Sequence, residues 1–326
     1  MRKHGKSLLF AALAFILIIF LNFFLPRLLP GDPVHYLTGM DTDIISPDLY
    51  ARYRAGLGLD LPLHEQFFRY LGTLFGGSLG YSYHYNSNVS ALISSRLGNT
   101  LQLAVPAVIL STLIALFAGL QAAYRRGSAG EHVASGAVVF LDAFPSFLVA
   151  MVLLILFSFT LKWFPHRGLN SIGVRAGWDF FLDRVWHLTL PVLTMILLSF
   201  PSKYILIRNH AASLMTEKFL LYARARGLSA GQIKRRYLLR GSFQPILTAV
   251  GLNVASALSG SIVIEKIFSV NGVGSLINEA IARLDFPTLQ GALFVIAGIS
   301  IAAITITDLL CILLDPRQRR AAAHDA

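Results

Sequence analysis

Residues 216–229 read TEKFLLYARARGLS, and they predict a short helix that ends in a glycine turn. Thr216 is a candidate N-cap, and Glu217 favours the first helical turn because a negative charge is stabilised at the N-terminus of a helix. The arginines near the end of the stretch favour the last turn, and Gly227 suits the left-handed position that follows a helix. We therefore expect a helix from Thr216 to Arg226.

A second helix is predicted immediately after this turn. Ser229 and Gln232 have the spacing of a capping box, in which each side chain caps the other residue's backbone N–H. The second helix should run into the apolar stretch that follows it. A helix, a glycine turn and another helix form a compact knob, which is more typical of a docking element for another protein than of a flexible tether.

Basic residues dominate the region around this knob. Only one acid, Glu217, lies between Arg208 and Pro245. The basic residues there are Arg208, Lys218, Arg224, Arg226, Lys234, Arg235, Arg236 and Arg240. Long apolar stretches flank the region on both sides, so the pattern indicates a structured cytoplasmic loop of a membrane protein.

The composition of the whole chain agrees with a membrane location. Of its 326 residues, 55% are hydrophobic and 14% charged, and the mean hydropathy is +0.62. This is more apolar surface than a soluble domain needs to bury, so we expect the lipid bilayer to be its surroundings. The net charge of +11 does not indicate nucleic acid, because the basic residues fall in short segments between apolar runs.

Six apolar segments are long enough to cross a bilayer, at about 20 residues for each span. Their approximate bounds are 8–29, 97–124, 132–161, 185–207, 242–268 and 287–314. We expect an all-α integral membrane protein with six transmembrane helices, forming a single domain over residues 1–326. Its parts are a first membrane helix (1–29), a long segment (30–96), a five-helix core (97–314) and a tail (315–326).

The basic residues also predict the orientation of the spans. They concentrate before the first span, between the second and third, between the fourth and fifth, and after the last. The positive-inside rule then places both termini and the helical knob in the cytoplasm, and residues 30–96 on the opposite side.

Charged residues within or near the predicted spans are candidates for a translocation path, because a charge in the bilayer costs at least a few kcal/mol. Asp142, Lys203 and Asp308 are of this kind. Each also has a structural interpretation. Asp142 precedes Pro145, where a kink frees backbone groups, and Lys203 could extend towards a membrane interface. The structural interpretation is favoured for each of them.

Glu265 lies at the end of the fifth apolar span, next to Lys266 and close to the NGVG sequence at residues 271–274. This position favours an ion pair or a contact at the rim of the protein over chemistry. Glu265 is therefore a fourth candidate for a path or structural role.

The sequence contains no catalytic constellation. No two histidines have the i, i+3 or i, i+4 spacing of a helical metal site, and no HExxH motif occurs, so no metal site is predicted. A GxxxxGK[ST] phosphate loop is also missing, so we do not expect this chain to bind ATP in that manner. An enzyme is therefore not predicted.

Motifs along nearly the whole chain resemble those of one family, the permease subunits of ATP-binding-cassette importers for dipeptides, oligopeptides and nickel, in their first-permease branch. Their order and spacing carry the resemblance. The motifs are PGDP (30–33), GLDLP (58–62), QFFRYL (66–71), RLGNTL (96–101), LDAFPSF (141–147), YARARGL (222–228), VIEKIF (263–268) with GVG (272–274), and DPR (315–317).

The resemblance implies a heteromeric importer in the bacterial cytoplasmic (inner) membrane. This chain would pair with a second, homologous permease, while two ATPases use ATP and Mg and bind the cytoplasmic loops. An extracytoplasmic binding protein would deliver the substrate, and residues 97–314 would form the translocation core. No cofactor is expected on this chain. A short peptide is the expected substrate, and nickel or a metal chelate is the alternative; a membrane enzyme or an ATPase-independent channel is less favoured.

The knob corresponds to the coupling loop of that family. The residues that the resemblance assigns to it are Glu217, Phe219, Leu220, Tyr222, Ala223, Arg224, Ala225, Arg226 and Gly227. Our hypothesis is that Phe219, Leu220 and Tyr222 anchor this helix in a groove of the ATPase, since aromatic and aliphatic groups dominate most interfaces.

Overall fold

A computed structural model describes residues 2–28, 32, 34, 46–56, 58–174 and 176–314. About 80% of the structure is helical, which confirms the all-α membrane fold. The predicted tail at residues 315–326 lies outside the described residues, as does most of the PGDP motif and its surroundings.

The α-helices in the described part of the chain are numbered in chain order. They are α1 (Arg2–Leu28), α2 (Pro47–Gly56), α3 (Leu63–Phe75), α4 (Val89–Tyr124), α5 (Ala129–Asp142), α6 (Ser146–Leu153), α7 (Gly177–Leu214), α8 (Lys218–Ala225), α9 (Ala230–Ile233), α10 (Leu239–Gly241), α11 (Phe243–Ile267), α12 (Val273–Ala282) and α13 (Phe286–Leu314). Wide π-helical turns at Leu154–Thr160 and Lys234–Leu238 extend α6 and join α9 to α10. A short antiparallel hairpin, β1 (Tyr81–Ser82) and β2 (Ser87–Asn88), precedes α4.

Four helices in the described part of the chain are long and apolar enough to cross a membrane, namely α4, α7, α11 and α13. The apolar part of α1, Leu9–Phe24, is shorter than the others. Four of the six predicted spans are therefore present as long helices.

The third predicted span, 132–161, is not one continuous helix. It consists of α5 and α6, which are bent by 100° at the break between them. Pro145 occupies the N-cap of α6, where its ring disfavours helical conformation at Phe144 and it has no N–H to donate. The kink expected at this proline is therefore a sharp bend, and α5 and α6 run almost perpendicular to each other.

The core of the bundle is formed by α4, α7 and α11, with α4 and α7 packed along much of their length. α13 packs on α11, and α1 packs on α13 at the periphery. Gly251 of α11 permits the close contact with α13, because a Cβ at this position would lie 2.7 Å from Thr307 Oγ1. The bundle has two ends, which are named by the elements they carry. The hairpin end carries β1, β2 and α12, and the α8 end carries α8, α9 and α10.

Candidate functional site

The helix and turn predicted at residues 216–229 are present at the α8 end, with a corrected start. Glu217, and not Thr216, occupies the N-cap of α8. The Thr216 hydroxyl instead donates to the Ser213 carbonyl (2.7 Å), so it belongs to the end of α7. The helix is therefore shorter than the predicted 216–226.

The turn after α8 forms as predicted. Gly227 has a φ of +72°, the left-handed conformation that glycine adopts without strain. Its N–H donates to the Arg224 carbonyl (2.9 Å), and the Leu228 N–H donates to the Ala223 carbonyl (3.3 Å). These two bonds form a Schellman motif. The capping box of Ser229 with the glutamine three residues later is also present and starts α9.

α8 buries one face against its own chain. Leu220 and Ala223 are almost fully buried, in a cluster that includes Ala123 of α4 and Ala211 of α7. Leu220 is therefore not available as an anchor for another protein, and that hypothesis is wrong for this residue. The spacing of three residues between Leu220 and Ala223 was the signal for an inward face.

The outward face of α8 combines apolar and basic groups. Phe219, Leu221 and Tyr222 are 43%, 55% and 70% exposed. Leu221 was not among the residues predicted from the sequence to belong to the coupling loop. The other predicted coupling residues that are exposed at or beside this helix are Glu217, Arg224, Ala225, Arg226 and Gly227. The knob thus presents a small apolar surface within a basic rim.

A buried ion pair, also missed from the sequence, lies near the knob. Glu131, at the start of α5, is 4% exposed and accepts a hydrogen bond from Arg208 Nε of α7 (3.0 Å). The Ser135 hydroxyl also donates to this carboxylate (2.9 Å) and bonds to the Tyr204 hydroxyl (2.9 Å). This cluster fixes α5 to α7 at the level of α8. Because Glu131 and Arg208 are 77 residues apart, no local pattern could have indicated the pair.

Two adjoining cavities form a groove along α7 and α11. Their volumes are about 210 and 470 Å³, and both are lined by Ser202 and Asn253. On α11 the lining residues extend from Gln244 to Ile264, which is about 30 Å at 1.5 Å per residue. This matches the roughly 30 Å hydrocarbon thickness of a bilayer.

The groove is open along one side. Ser202 on α7 and Leu252, Ser256 and Gly260 on α11 line it and are exposed. Within a membrane, such a surface of small and polar residues requires a cover other than lipid. A single copy of the chain therefore leaves one side of the groove uncovered.

Several polar groups of the groove donate within their own helices. The Ser199 hydroxyl donates to the Met195 carbonyl (2.8 Å), and the Ser256 hydroxyl donates to the Leu252 carbonyl (3.1 Å). One of the two N–H groups of the Asn253 amide donates to the Ala249 carbonyl in the same way. The hydroxyl and amide oxygens of these three residues retain acceptor capacity.

Of the four charged candidates, only Lys203 lines the groove. Lys203 is 1% exposed and donates from Nζ to the Ser111 hydroxyl. Asp142 is exposed at the break between α5 and α6, and Asp308 is half-buried on α13; neither lines the two cavities.

Glu265 proves to be a buried helix cap at the hairpin end. Its carboxylate accepts hydrogen bonds from the Thr100 hydroxyl and the Ser275 N–H, both at 2.8 Å. Ser275 is in the first turn of α12, whose N-cap, Gly272, has no side chain to cap it. The expected ion pair or rim contact is therefore wrong, since Glu265 is fully buried.

The segment before α4 is attached to the hairpin end by polar contacts. The Tyr85 hydroxyl donates to Glu279 of α12, which also pairs with Arg96 of α4 (3.2 Å). Burial raises the pKa of Glu279, but the hydrogen bond from Tyr85 and the charge of Arg96 outweigh it, so the net pKa is lowered. For Tyr85, burial and the neighbouring carboxylate both raise the pKa. The carboxylate thus remains charged and anchors this segment.

A knob at one end, a groove along the bundle and an anchored segment at the other end define a membrane permease. The chain matches the family model of the binding-protein-dependent transport system inner membrane component over residues 111–320. The N-terminal model of the same transport system matches residues 5–104. The chain belongs to this family, which confirms the resemblance inferred from its motifs.

Curated relatives match almost the full chain. The di/tripeptide transport system permease protein DppB of Pseudomonas aeruginosa is 32% identical over 92% of this chain and 93% of its own length. The dipeptide transport system permease protein DppB of Lactococcus lactis is 31% identical, over 96% of this chain and 98% of its own length. A putative peptide permease of Brucella ovis is 32% identical over 91% of this chain and 92% of its own length.

Membership of the family establishes three general properties. The chain is a multi-pass permease component of the inner membrane. It is the transport component of an ATP-binding-cassette importer. The family works with ATPase and substrate-binding partners.

Proposed function

We propose that this chain forms one wall of the path by which an ATP-driven importer carries short peptides across the inner membrane. The observation that carries the proposal is the groove along α7 and α11, which is as long as the bilayer is thick and is open along one side. The relatives are named as peptide, dipeptide or di/tripeptide permeases, which favours peptides over nickel as the cargo.

The open side of the groove supports pairing with a second permease. A homologous chain would present a similar surface of small and polar residues, so that the two grooves together enclose a passage. The exposed residues Ser202, Ser256 and Gly260 would then line the passage or the contact between the permeases.

The α8 knob is the element that we assign to the ATPase. Its exposed residues Phe219, Leu221 and Tyr222 would occupy an apolar pocket, and the arginines around them would meet an acidic rim. Two ATPases that use ATP and Mg would bind the two permeases in this way. Because Leu220 and Ala223 pack into the bundle, a movement of α8 would be transmitted to α4 and α7.

This assignment includes an orientation and a division of the chain. Both termini and α8 face the cytoplasm, while residues 30–96 face the binding protein. Residues 97–314 form the translocation core, between the first helix (1–29) and the tail (315–326), within one permease domain. The basic residues around α8 support this orientation.

Reconstitution tests the proposal directly. A tagged copy should co-purify with a second permease and with ATPases, and proteoliposomes of that complex with its binding protein should take up a labelled dipeptide when ATP is supplied. Uptake of nickel without uptake of any peptide would refute the substrate assignment. Purification of the chain alone, with uptake that needs no ATP, would refute the importer.

A second test concerns orientation. Arg226→Cys places a thiol beside the α8 turn, whereas the natural Cys311 is buried. A membrane-impermeant maleimide should label the new thiol only when it reaches the cytoplasmic side. Labelling in intact cells from the outside would contradict the topology.

A further inference from the structure

Lys203 is the only lysine, arginine, aspartate or glutamate among the described residues that line the groove. It lies on α7, and its side chain is covered by the surrounding helices. Its stem lines the larger cavity, and its Nζ reaches the backbone of Val108, a residue that lines the adjoining cavity. The amine is therefore placed where the two cavities meet.

The partners of this amine are all neutral. Nζ donates to the Ser111 hydroxyl and, at 3.5 Å, to the Val108 carbonyl. An ammonium group has three N–H donors, and the third has no acceptor within the part of the chain that the structure describes. No carboxylate of those residues lies within the 4 Å of an ion pair.

An ammonium that is buried among apolar helices with neutral partners alone keeps an uncompensated charge, which is costly unless an anion reaches it. The rest of the groove is complementary to the other groups of a peptide. The Ser199 and Ser256 hydroxyls and one N–H of Asn253 donate within their own helices, so all three residues offer oxygen acceptors to N–H groups. Lys203 is the only lysine or arginine among the described residues that line the groove.

We propose that Lys203 receives the terminal carboxylate of a peptide as the peptide moves along the groove. This inference rests on the proposed function. The flexible four-carbon stem allows Nζ to exchange the Ser111 hydroxyl for a carboxylate, which is the stronger acceptor. Because the binding protein captures the peptide, it determines the apparent KM. Lys203 acts after capture and therefore affects the maximal rate of passage.

The test uses the complete complex in proteoliposomes and two labelled dipeptides, one with a free carboxylate and one that is its C-terminal amide. Lys203→Met removes the charge and retains most of the length, and Lys203→Arg retains the charge. Lys266→Met is the matched control, because Lys266 is an exposed lysine at the end of α11.

We expect Lys203→Met to lower the maximal uptake rate of the free-carboxylate dipeptide about tenfold, the effect of losing one charge-assisted hydrogen bond. The apparent KM and the rate for the amide should stay the same. Lys203→Arg and Lys266→Met should behave like the wild type. An equal loss for both peptides at normal protein abundance would show that Lys203 is only a structural contact and would overturn the inference, as would no loss for either.

The outcomes separate this inference from the proposed function. If the wild-type complex imports neither peptide, the proposed function fails, and this inference fails with it. If the wild type imports peptide and Lys203→Met leaves the ratio of the two rates unchanged, only the role of Lys203 is refuted.

A second measurement needs no substitution of Lys203. A water-soluble carbodiimide joins a carboxylate to a nearby amine as an amide, and the carbodiimide takes up the water that is lost. Applied to the wild-type complex during turnover with the free-carboxylate dipeptide, it should give a peptide adduct on Lys203 that mass spectrometry can locate. An adduct on Lys266 at the same yield, or none on Lys203, would overturn the inference.

Discussion

At each end of the bundle a buried glutamate carboxylate is held in a different way. At the α8 end, Glu131 is paired with the guanidinium of Arg208. At the hairpin end, Glu265 receives hydrogen bonds from neutral hydroxyl and backbone N–H donors, among them Thr100 and Ser275. The first arrangement depends on opposite charge, whereas the second depends on the exact positions of neutral donors around a turn.

The surroundings of the two carboxylates differ accordingly. The guanidinium of Arg208 is one-quarter exposed, so the α8 end can adapt to small shifts. Around Glu265, Gly272 and Gly274 leave no free space, because a Cβ at either position would lie within 3 Å of the carboxyl group. The comparison indicates a rigid hairpin end and a more adaptable end where the ATPase is proposed to bind.

The largest effect is expected from Gly274→Ala. The new Cβ would lie 2.6 Å from Ile262 Cα, and the backbone of α11 cannot move without breaking the Glu265 network. A loss of about 3 kcal/mol is expected from this overpacking. Thermal unfolding of the purified complex measures it, with Gly298→Ala on α13 as the control, since nothing lies within 4 Å of a Cβ there. Equal melting temperatures for the two variants would refute the rigid hairpin end.

Glu131→Gln should have the next largest effect. It keeps the shape of the side chain but leaves Arg208 without its counter-charge, at a cost of about 2 kcal/mol. This cost is below the usual cost of breaking a buried ion pair, because Arg208 is partly exposed and water can solvate its charge. The same change at an exposed carboxylate of α3, Glu65→Gln, serves as the control. A Glu131→Gln variant as stable as the control would mean that charge pairing does not hold this end together.

Glu265→Gln should be milder, although Glu265 is the more buried of the two carboxylates. No cation loses a partner, and the amide oxygen of glutamine still accepts a hydrogen bond from the donors around it. We expect a loss of about 1 kcal/mol, the value of one hydrogen bond. A greater loss than in Glu131→Gln, measured by the same thermal unfolding, would reverse the comparison between the two ends.

The smallest effect on stability is expected from alanine at Phe219, Leu221 and Tyr222 together. These side chains are exposed, so each change should stay within about 0.5 kcal/mol. Uptake should nevertheless be lost while the ATPases still hydrolyse ATP, because the proposed contact is gone. Leu220→Ala is the contrasting control, since it creates a cavity and should lower stability by about 3 kcal/mol. Normal uptake by the triple variant would refute the coupling role of the exposed face.

The local features of this protein were predictable because neighbouring residues determine them. The left-handed Gly227, the capping box at Ser229 and the break before Pro145 each follow from hydrogen bonds or steric limits within a few residues. The four long apolar helices likewise follow from composition alone. The motifs along the chain were sufficient to indicate the family.

The candidate sites were predictable only in part. Lys203 was recognised because a charge in an apolar span is unusual, but its position at the junction of two cavities depends on three different helices. Glu265 was interpreted as a rim contact, because its hydrogen-bond donors lie on other helices, α4 and α12, and no local pattern in the sequence indicates them. For α8 the resemblance indicated which segment to propose as the docking element, but the burial of Leu220 excluded one of its proposed anchors.

The sequence by itself determined the four long apolar helices, the glycine turn and capping box after α8, the membrane environment and the permease family, because those depend on hydrogen bonds and polarity along a single segment. Only the tertiary structure decided which side of α8 is free, how α5 turns away from α6, and where the groove runs. The reason is physical: burial and charge pairing between segments far apart in the chain depend on how helices pack, and Glu265 is 165 residues from Thr100.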